Sequence, residues 1–405
     1  MSPPPPSNPA AGAAAPLPWA GLFILAGAIF VSVTSEVLPT GLLPDMARGL
    51  SVSETQVGLL VSIFAGVVVL SAAPLTALTR RFERKRLVIV VLLVFAFGNF
   101  LSAVAPDYPV VVVSRAIGGL AHGLFWAVVG AYAAHLVPKH QISRAVAITG
   151  SGATAAFVLG VPVGTLLGHA LGWRLAFAAI GLVVLLLVGM VIRYLPAVDH
   201  RAPVRTGEVP LPLRRDPSVL GVVLICLITT VVMAGQNLFF TYIVPYFIGV
   251  NGFEPDLVGG LLFVYGAGGA VGLLLVGWVG SRYPRSGLVA FFAGVALAVL
   301  LLGAFPRIAW LAVGAVVLWG IAFGGSPAML QSRLLQTASQ RMRDVGSAYF
   351  TTSFNVAIGG GALIGGLLLD AYGVGVLPFV DVGVTLGGIA LILLSEAILA
   401  RRAAA

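Results

Sequence analysis

The chain has 405 residues, of which 59% are apolar and only 9% are charged, against about 25% charged in an ordinary soluble protein. A mean hydropathy of +1.06 excludes a soluble enzyme or transcription factor, because so few polar residues cannot cover a surface that faces water. The net charge of +9 comes from short basic clusters between apolar runs, so we expect topology signals and no nucleic-acid partner.

Residues 1–18 are rich in Pro and Ala and lack the basic and apolar regions of a signal peptide, which predicts a disordered N-terminal tail. Apolar runs alternate with short polar breaks over the remaining chain. These runs are apolar on every face and about twice as long as β-barrel strands, so they predict transmembrane helices. Twelve are predicted, at 19–39, 57–78, 87–105, 109–137, 144–171, 175–195, 219–249, 257–281, 287–305, 309–338, 345–371 and 376–399.

The basic residues predict how these helices are oriented. Nineteen of the 23 Lys and Arg residues lie in the breaks after the even-numbered helices or in the C-terminal tail, 401–405. Only Arg48, Arg174 and Arg307 belong to the opposite face. Because cytoplasmic loops carry the excess of basic residues, we expect a multi-pass protein of the inner or plasma membrane with both termini in the cytoplasm.

The longest polar break, 196–217, predicts a cytoplasmic linker between an N-terminal six-helix bundle at 19–195 and a C-terminal one at 218–400. Glycines match at a shift of 201 residues in four pairs: Gly58 with Gly259, Gly160 with Gly361, Gly164 with Gly365, and Gly172 with Gly373. Chance is the alternative for the glycines alone, but the basic break after helix two also recurs after helix eight. A duplicated six-helix unit is typical of transporters that bind solute between their halves.

Helix five carries a small residue at nearly every fourth position, which predicts close packing against a neighbouring helix. The stripe consists of Gly152, Ala156, Gly160, Gly164 and Gly168. Pro162 removes one intrahelical hydrogen bond and predicts a bend at that point. We expect Gly160, Pro162 and Gly164 to act in packing and gating and not in solute contact.

Three ionisable side chains are predicted at membrane depth: Glu36, Arg115 and His122. A charge there costs about 3 kcal/mol or more unless it is paired or hydrated, so these residues are the candidates for proton coupling. A rise of about 1.5 Å per residue places Glu36 and Arg115 at similar depth and His122 deeper. The structural alternatives are a frayed helix end for Glu36, a snorkelling anchor for Arg115 and a packing histidine for His122.

Polar and aromatic side chains on helices four, seven and eleven are the candidates for solute binding. They are Trp126, Gln236, Asn237, Tyr242 and Asn355. Donors and acceptors interleaved with rings suit a polyhydroxylated or amphipathic solute. The same residues are equally able to bridge helices through hydrogen bonds.

Four segments carry a family resemblance. They are SEVLPTGLLP at 35–44, SRAIGGLAHGLFW at 114–126, GVPVGT at 160–165 followed by GWR at 172–174, and SFNVAIGGGALIG at 353–365. Together they resemble the drug/proton antiporter branch of the major facilitator superfamily, and within it the bacterial sugar and arabinose-type efflux transporters. The resemblance implies an all-α membrane protein with twelve transmembrane helices in two pseudo-symmetric six-helix bundles. It also implies proton-coupled export of small solutes such as sugars, or of drugs, by alternating access.

The loop after helix two departs from the family pattern. The family places a Gly and an Asp ahead of the basic residues, whereas this chain reads PLTALTRRFERKR at 74–86, with Thr79 at the acidic position. The resemblance therefore implies a gate salt bridge that is weaker or differently built here.

Sequence motifs for metalloproteases, serine hydrolases and nucleotide-binding loops are absent, so we expect neither an enzyme nor a metal site. The leading hypothesis is an exporter that uses the proton gradient and no other cofactor. An uncoupled facilitator or importer, and a non-transporting membrane sensor, remain the alternatives. The expected partners are a small-molecule substrate, protons and the lipid bilayer, and the expected state is a monomer.

Overall fold

A computed structural model describes residues 18–79, 82–137, 141–196, 216–283, 286–339 and 342–404. Within these ranges the chain is almost entirely helical and contains no β-strand. Twelve stretches are long and apolar enough to cross a membrane, one for each predicted helix. Most of the predicted tail at 1–18 and of the predicted linker at 196–217 lies outside the described residues.

The first half contains eight α-helices, seven of which form the first six spans. They are α1 (Trp19–Gly41), α2 (Leu43–Leu50), α3 (Glu54–Leu78), α4 (Arg84–Val104), α5 (Tyr108–His135), α6 (Ile142–Ala155), α7 (Val161–Leu171) and α8 (Trp173–Tyr194). The short α2 lies outside the spans, and α6 and α7 belong to one span.

The second half contains another eight helices. They are α9 (Val219–Phe240), α10 (Ile243–Gly249), α11 (Pro255–Arg282), α12 (Ser286–Ala304), α13 (Ala309–Gly324), α14 (Ser326–Thr337), α15 (Arg343–Tyr372) and α16 (Leu377–Ala404). Because α16 continues to Ala404, most of the segment predicted as a C-terminal tail is helical.

Two predicted helices are divided where a proline removes a backbone donor. The run 219–249 breaks at Thr241 and Tyr242, since Pro245 has no N–H to offer the Thr241 carbonyl. The run 309–338 breaks at Gly325, and Pro327 occupies the first turn of α14, where an N–H is not needed. The break at Gly325 lies within one span, Ala309–Thr337, whereas the other span ends at Phe240, before α10.

The fifth span, predicted as helix five, consists of α6, a π-helical turn and α7, whereas the sequence predicted only a bend at Pro162. A π-helical turn at Ala156–Gly160 precedes α7, and Pro162 lies in the first turn of α7. The glycines of the predicted stripe face α1: a Cβ atom at Gly160 would overlap the Thr34 side chain, and one at Gly164 would lie 2.8 Å from Leu38 Cδ1. The fifth span therefore packs so closely against α1 that a side chain larger than glycine would not fit at Gly160 or Gly164.

The internal repeat is visible in the packing of the two halves. Gly361 packs against the Ala234 carbonyl of α9 much as Gly160 packs against α1, so each contacts the first helix of its own half. Gly172 and Gly373 have φ values of +93° and +79° and stand before the last helix of each half. A left-handed backbone at these matched positions favours glycine. The matching glycines therefore have matching structural roles.

The two halves are joined by hydrogen bonds at one end of the bundle. The Thr55 hydroxyl on α3 donates to Asp370 Oδ1 on α15 at 2.5 Å, and the Ser62 hydroxyl donates to the Gly359 carbonyl at 2.8 Å. Towards the other end of the same two helices, Leu70 is 77% exposed and Tyr349 is 60% exposed. In this conformation α3 and α15 meet at the Thr55 end.

Candidate functional site

Arg115 on α5 donates hydrogen bonds to backbone carbonyls of α1 in the turn before Pro39. Pro39 has no N–H, so the Ser35 carbonyl one turn earlier lacks its intrahelical donor. The Arg115 guanidinium donates to the Ser35 carbonyl and to the Glu36 carbonyl, both at 2.9 Å. Its Cζ atom lies 4.4 Å from the centre of the Phe64 ring. Arg115 is 3% exposed and thus acts within the protein, without contact to lipid headgroups.

The three ionisable residues predicted from sequence come together on α1 and α5. His122 is 3% exposed, and its Nε2 atom lies 3.5 Å from Glu36 Oε2. The other ring nitrogen, Nδ1, lies 2.9 Å from the Ser32 hydroxyl. Trp126, one helical turn further along α5, donates its indole N–H to His122 Nε2 at 2.7 Å.

These contacts fix which nitrogen of His122 carries the proton. An indole N–H can only donate, so Nε2 accepts and carries no hydrogen. The proton therefore resides on Nδ1, which donates to the Ser32 hydroxyl, and the ring is neutral. If Nε2 gained a proton it would become a donor, Trp126 would have to turn away, and the Glu36 carboxylate would be the nearest acceptor.

Sequence reasoning missed two polar residues of this cluster. Ser32 lies one helical turn before Glu36 and contacts His122, a relation that the i, i+4 spacing on α1 could have suggested. Asn99 on α4 accepts a hydrogen bond from the Ser35 hydroxyl at 2.7 Å, and both side chains are buried. No sequence signal pairs Asn99 with α1, because the contact depends on how α4 packs.

Gln236 on α9 lies in a separate buried network of the second half. Its Nε2 atom donates to the Tyr265 hydroxyl at 3.0 Å, and its Oε1 atom accepts from the Trp319 indole at 2.8 Å. Gln236 is 3% exposed. In this conformation the predicted solute ligand thus bridges three helices.

The other predicted solute ligands differ in accessibility. Tyr242 is fully buried, and its hydroxyl donates to the Ala362 carbonyl at 2.9 Å. Asn237 and Asn355 are partly exposed, and each donates to a carbonyl one turn earlier in its own helix, Met233 and Thr351 respectively. Each amide oxygen therefore remains available to a solute. Trp126 is 39% exposed and presents its ring beside His122.

An ion pair lies at the joined end of the first half. His169 Nδ1 at the end of α7 is 2.5 Å from Asp45 Oδ2 on α2, and Arg48 contacts the other oxygen of Asp45. Burial is the largest single influence and raises the pKa of Asp45. The hydrogen bonds and charges of His169 and Arg48 together outweigh it and hold that pKa below its ordinary value.

Thr79, at the position where the family has an acidic residue, ends α3. Its hydroxyl donates to the Leu75 carbonyl at 2.6 Å. The basic residues Arg80 and Arg81 lie outside the described residues.

The fold and the buried polar cluster define a multi-pass membrane protein of the transporter class, and the sequence comparison gives its family. The model of the Major Facilitator Superfamily matches residues 25–362 and also 225–403. The chain belongs to the Major Facilitator Superfamily.

Several curated relatives are similar over most of the chain. A protein of Helicobacter acinonychis (strain Sheeba), named "Probable sugar efflux transporter", is 32% identical over 370 residues, which cover 91% of this chain and 93% of the relative. A protein of the same name from Mannheimia succiniciproducens is 29% identical over 371 residues, 92% of each chain.

Solved structures show the same fold. A bacterial homologue of the human lysosomal transporter Spinster, inward-facing and unoccupied, has a TM-score of 0.70 at 15% identity and covers 95% of this chain and 96% of its own. A peptide transporter in complex with sulfate has a TM-score of 0.74 at 15% identity and covers 94% of both chains.

Proposed function

We propose that this protein is a proton-coupled exporter of small polar solutes, with sugars as the first class to test. One observation carries the proposal: Glu36 and Trp126 both lie against His122 Nε2, so a proton gained by this nitrogen would replace Trp126 by Glu36 as its partner. The names of the relatives support the direction and the solute class, since they are called probable sugar efflux transporters.

The proton step follows from the donors and acceptors of this contact. With a neutral His122, the Trp126 indole is held by Nε2 and the Glu36 carboxyl stands 3.5 Å away. A proton on Nε2 would release Trp126 and attract the Glu36 carboxylate. Because Trp126 is the exposed member, protonation would move the ring on which a solute stacks.

This exchange gives proton and solute a shared site, which antiport requires. A solute that stacks on Trp126 favours the contact of His122 with Trp126, whereas a proton on His122 favours its contact with Glu36. Glu36 also lies on α1 beside the Arg115 contact, so a change at Glu36 reaches the turn in which Pro39 removes an intrahelical hydrogen bond. We propose Asn237 and Asn355 as further solute contacts because their amide oxygens are free to accept from hydroxyl groups.

The arrangement of the halves fits one state of an alternating-access cycle. The joined end carries Thr55 and Asp370, and the basic residues predict that this end faces away from the cytoplasm. On that orientation the protein faces inward, the state in which an exporter takes up its solute. We also propose that it works as a monomer and needs no cofactor besides the proton gradient.

Purified protein in liposomes tests the proposal. A panel of labelled sugars, nucleosides and cationic drugs is offered with and without an imposed pH difference. We expect at least one sugar to move against its gradient only when the pH difference is present. Solute movement that ignores the pH difference would indicate a facilitator, and no movement of any solute would indicate a sensor; either result would overturn the proposal.

Substitutions then separate coupling from solute movement. Glu36→Gln and His122→Gln should each remove the response to the pH difference while leaving downhill exchange, because the proton step needs both the imidazole and the carboxylate. Arg115→Ala should abolish both coupling and downhill exchange, because α1 loses the two buried hydrogen bonds that Arg115 donates to its carbonyls. Glu254→Gln is the matched control, since Glu254 is exposed at the start of α11. Glu36→Gln protein that still accumulates solute would contradict the assignment of Glu36.

A further inference from the structure

A second intramembrane carboxyl group lies in the C-terminal half, far along the chain from Glu36. Asp381 is the fifth residue of α16 and is 0% exposed. A rise of about 1.5 Å per residue places it roughly 6 Å from the start of that helix. This is the end of the bundle at which the halves meet. Sequence reasoning overlooked it because it stands close to a predicted helix boundary.

The carboxyl group of Asp381 has too few partners for a buried charge. Oδ1 accepts one hydrogen bond, from the Thr385 hydroxyl at 3.1 Å, and Oδ2 is buried with no partner. No ion pair among the described residues includes Asp381. A buried carboxylate held by a single hydroxyl is costly by several kcal/mol, whereas the neutral acid is not. In this conformation the group is therefore held as the acid.

A glycine on α9, Gly235, leaves the space that the Asp381 carboxyl group occupies. A Cβ atom at Gly235 would lie 2.9 Å from Asp381 Oδ1, so any side chain at that position would displace the carboxyl group. The next residue, Gln236, belongs to the hydrogen-bonded network with Tyr265 and Trp319. The carboxyl group thus adjoins the polar part of α9.

The donors of that network run in one direction, from Trp319 through Gln236 to Tyr265. Trp319 donates to Gln236 Oε1, and Gln236 Nε2 donates to the Tyr265 hydroxyl oxygen. The hydroxyl hydrogen of Tyr265 is left to donate to a further acceptor. A small movement of α9 against α16 would change the distance between this polar network and the carboxyl group, and a donor that reached the carboxyl group would favour its ionised form.

Few other titratable groups face this position. Of the helices packed against α16, α9 carries only Cys226, nine residues before Gly235, and α12 carries none. Helix α15 carries Asp370, which accepts a hydrogen bond from Thr55, and Tyr372 at the end where α16 begins. On α16 itself, Glu396 lies four turns away and is paired with Arg333.

We propose that Asp381 is a second proton-binding site, in which the C-terminal half takes up and releases a proton as α9 moves. The link to transport lies in α9, which ends five residues after Gly235 and leads directly to Tyr242. The Tyr242 hydroxyl stands where a Cβ atom at Gly58 of the first half would be. Release of the proton at Asp381 is thereby coupled to the contact that joins the halves. This inference goes beyond the proposed function, since proton binding here requires no solute.

Infrared spectroscopy of the full-length protein in lipid, recorded over a series of pH values, tests the proposal. We expect a carbonyl band of a protonated carboxylic acid that disappears reversibly as the pH is raised. Asp381→Asn keeps the size of the side chain and its acceptor for Thr385, and should remove this band. Asp256→Asn, at an exposed position on α11, is the matched control and should retain it. A band that Asp381→Asn leaves unchanged would overturn the proposal.

A second measurement uses the unmodified chain. A hydrophobic carbodiimide reacts with protonated buried carboxyl groups, and mass spectrometry locates the adduct. Labelling of Asp381 should fall about tenfold per pH unit once the ionised form predominates. Labelling that is constant across the pH range of the folded protein would show a permanently protonated structural acid and refute the proposal. Glu36→Gln should leave this labelling intact, which separates the result from a failure of the proposed coupling.

Discussion

Replacing Arg115 by methionine tests whether this arginine is a clamp on α1. The guanidinium makes two hydrogen bonds at 2.9 Å to the carbonyls of Ser35 and Glu36. Hydrogen bonds to charged groups contribute about 1.5–3 kcal/mol each. The Phe64 ring below it adds about 1 kcal/mol. Methionine also avoids the burial of a charge, so we expect a net loss of about 2–4 kcal/mol in the free energy of unfolding.

The explanation through Pro39 makes a sharper prediction. Pro39→Ala returns an N–H to α1, which can donate to the Ser35 carbonyl within the helix. In that background Arg115→Met should lose about 1 kcal/mol less, because one of the two carbonyls keeps a donor. Pro44→Ala is the control: Pro44 stands in the first turn of α2, where no donor is missing.

Equilibrium unfolding of the purified variants in detergent micelles, followed by circular dichroism, measures these differences. The two single variants and the double variant form a cycle in which the coupling energy is read directly. An equal loss in both backgrounds would show that the Ser35 carbonyl is not what Arg115 satisfies. A loss below about 0.5 kcal/mol for Arg115→Met would refute the clamp itself, since that is the size of an ordinary surface change.

Three further predictions concern packing, the joined end and pH. Gly160→Leu should reduce transport at least about tenfold because α1 must move away, whereas Gly189→Leu, with open space around it, should not. Thr55→Val removes the hydrogen bonds that Thr55 makes to α15, leaves that of Ser62, and should favour separation of this end about fivefold, measured by spin-label distances. The stabilising contribution of Asp45, whose pKa is lowered by His169 despite burial, exists above its ordinary value of 3.8 and is lost as the pH falls. The advantage of the wild type over Asp45→Asn in thermal unfolding should accordingly shrink below that pH.

The fold was largely predictable because bilayer thickness and composition leave few choices. Twelve apolar runs of sufficient length predict twelve spans, and basic clusters separate them into two sets of loops. The positions at which the helices break were harder to predict from the sequence. Pro245 and Pro327 signal the breaks near Tyr242 and Gly325, yet long apolar runs hide them. The π turn before α7, which packs against α1 and α11, has no signal in local composition.

The candidate site was predictable in its residues but not in its bonds. Glu36, Arg115 and His122 are conspicuous because ionisable groups are rare at membrane depth. That Arg115 binds two carbonyls and leaves the Glu36 carboxyl to His122 depends on the rotation of α1 against α5, which composition does not determine. Gln236 shows the converse, since its polarity predicted a solute contact and its packing supplies two protein partners.

The two polar centres occupy related positions in the repeat. At the shift of 201 residues, the end of α1 at Gly41 corresponds to Tyr242, where α9 gives way to α10. Near each break a buried polar group from the same half contacts the broken helix: Arg115 in the first half, and the Gln236 network with Asp381 in the second. A helix that is already interrupted needs less free energy to change its direction than a continuous one. Protonation events placed at both breaks would therefore act where a small change in hydrogen bonding moves the ends of both halves.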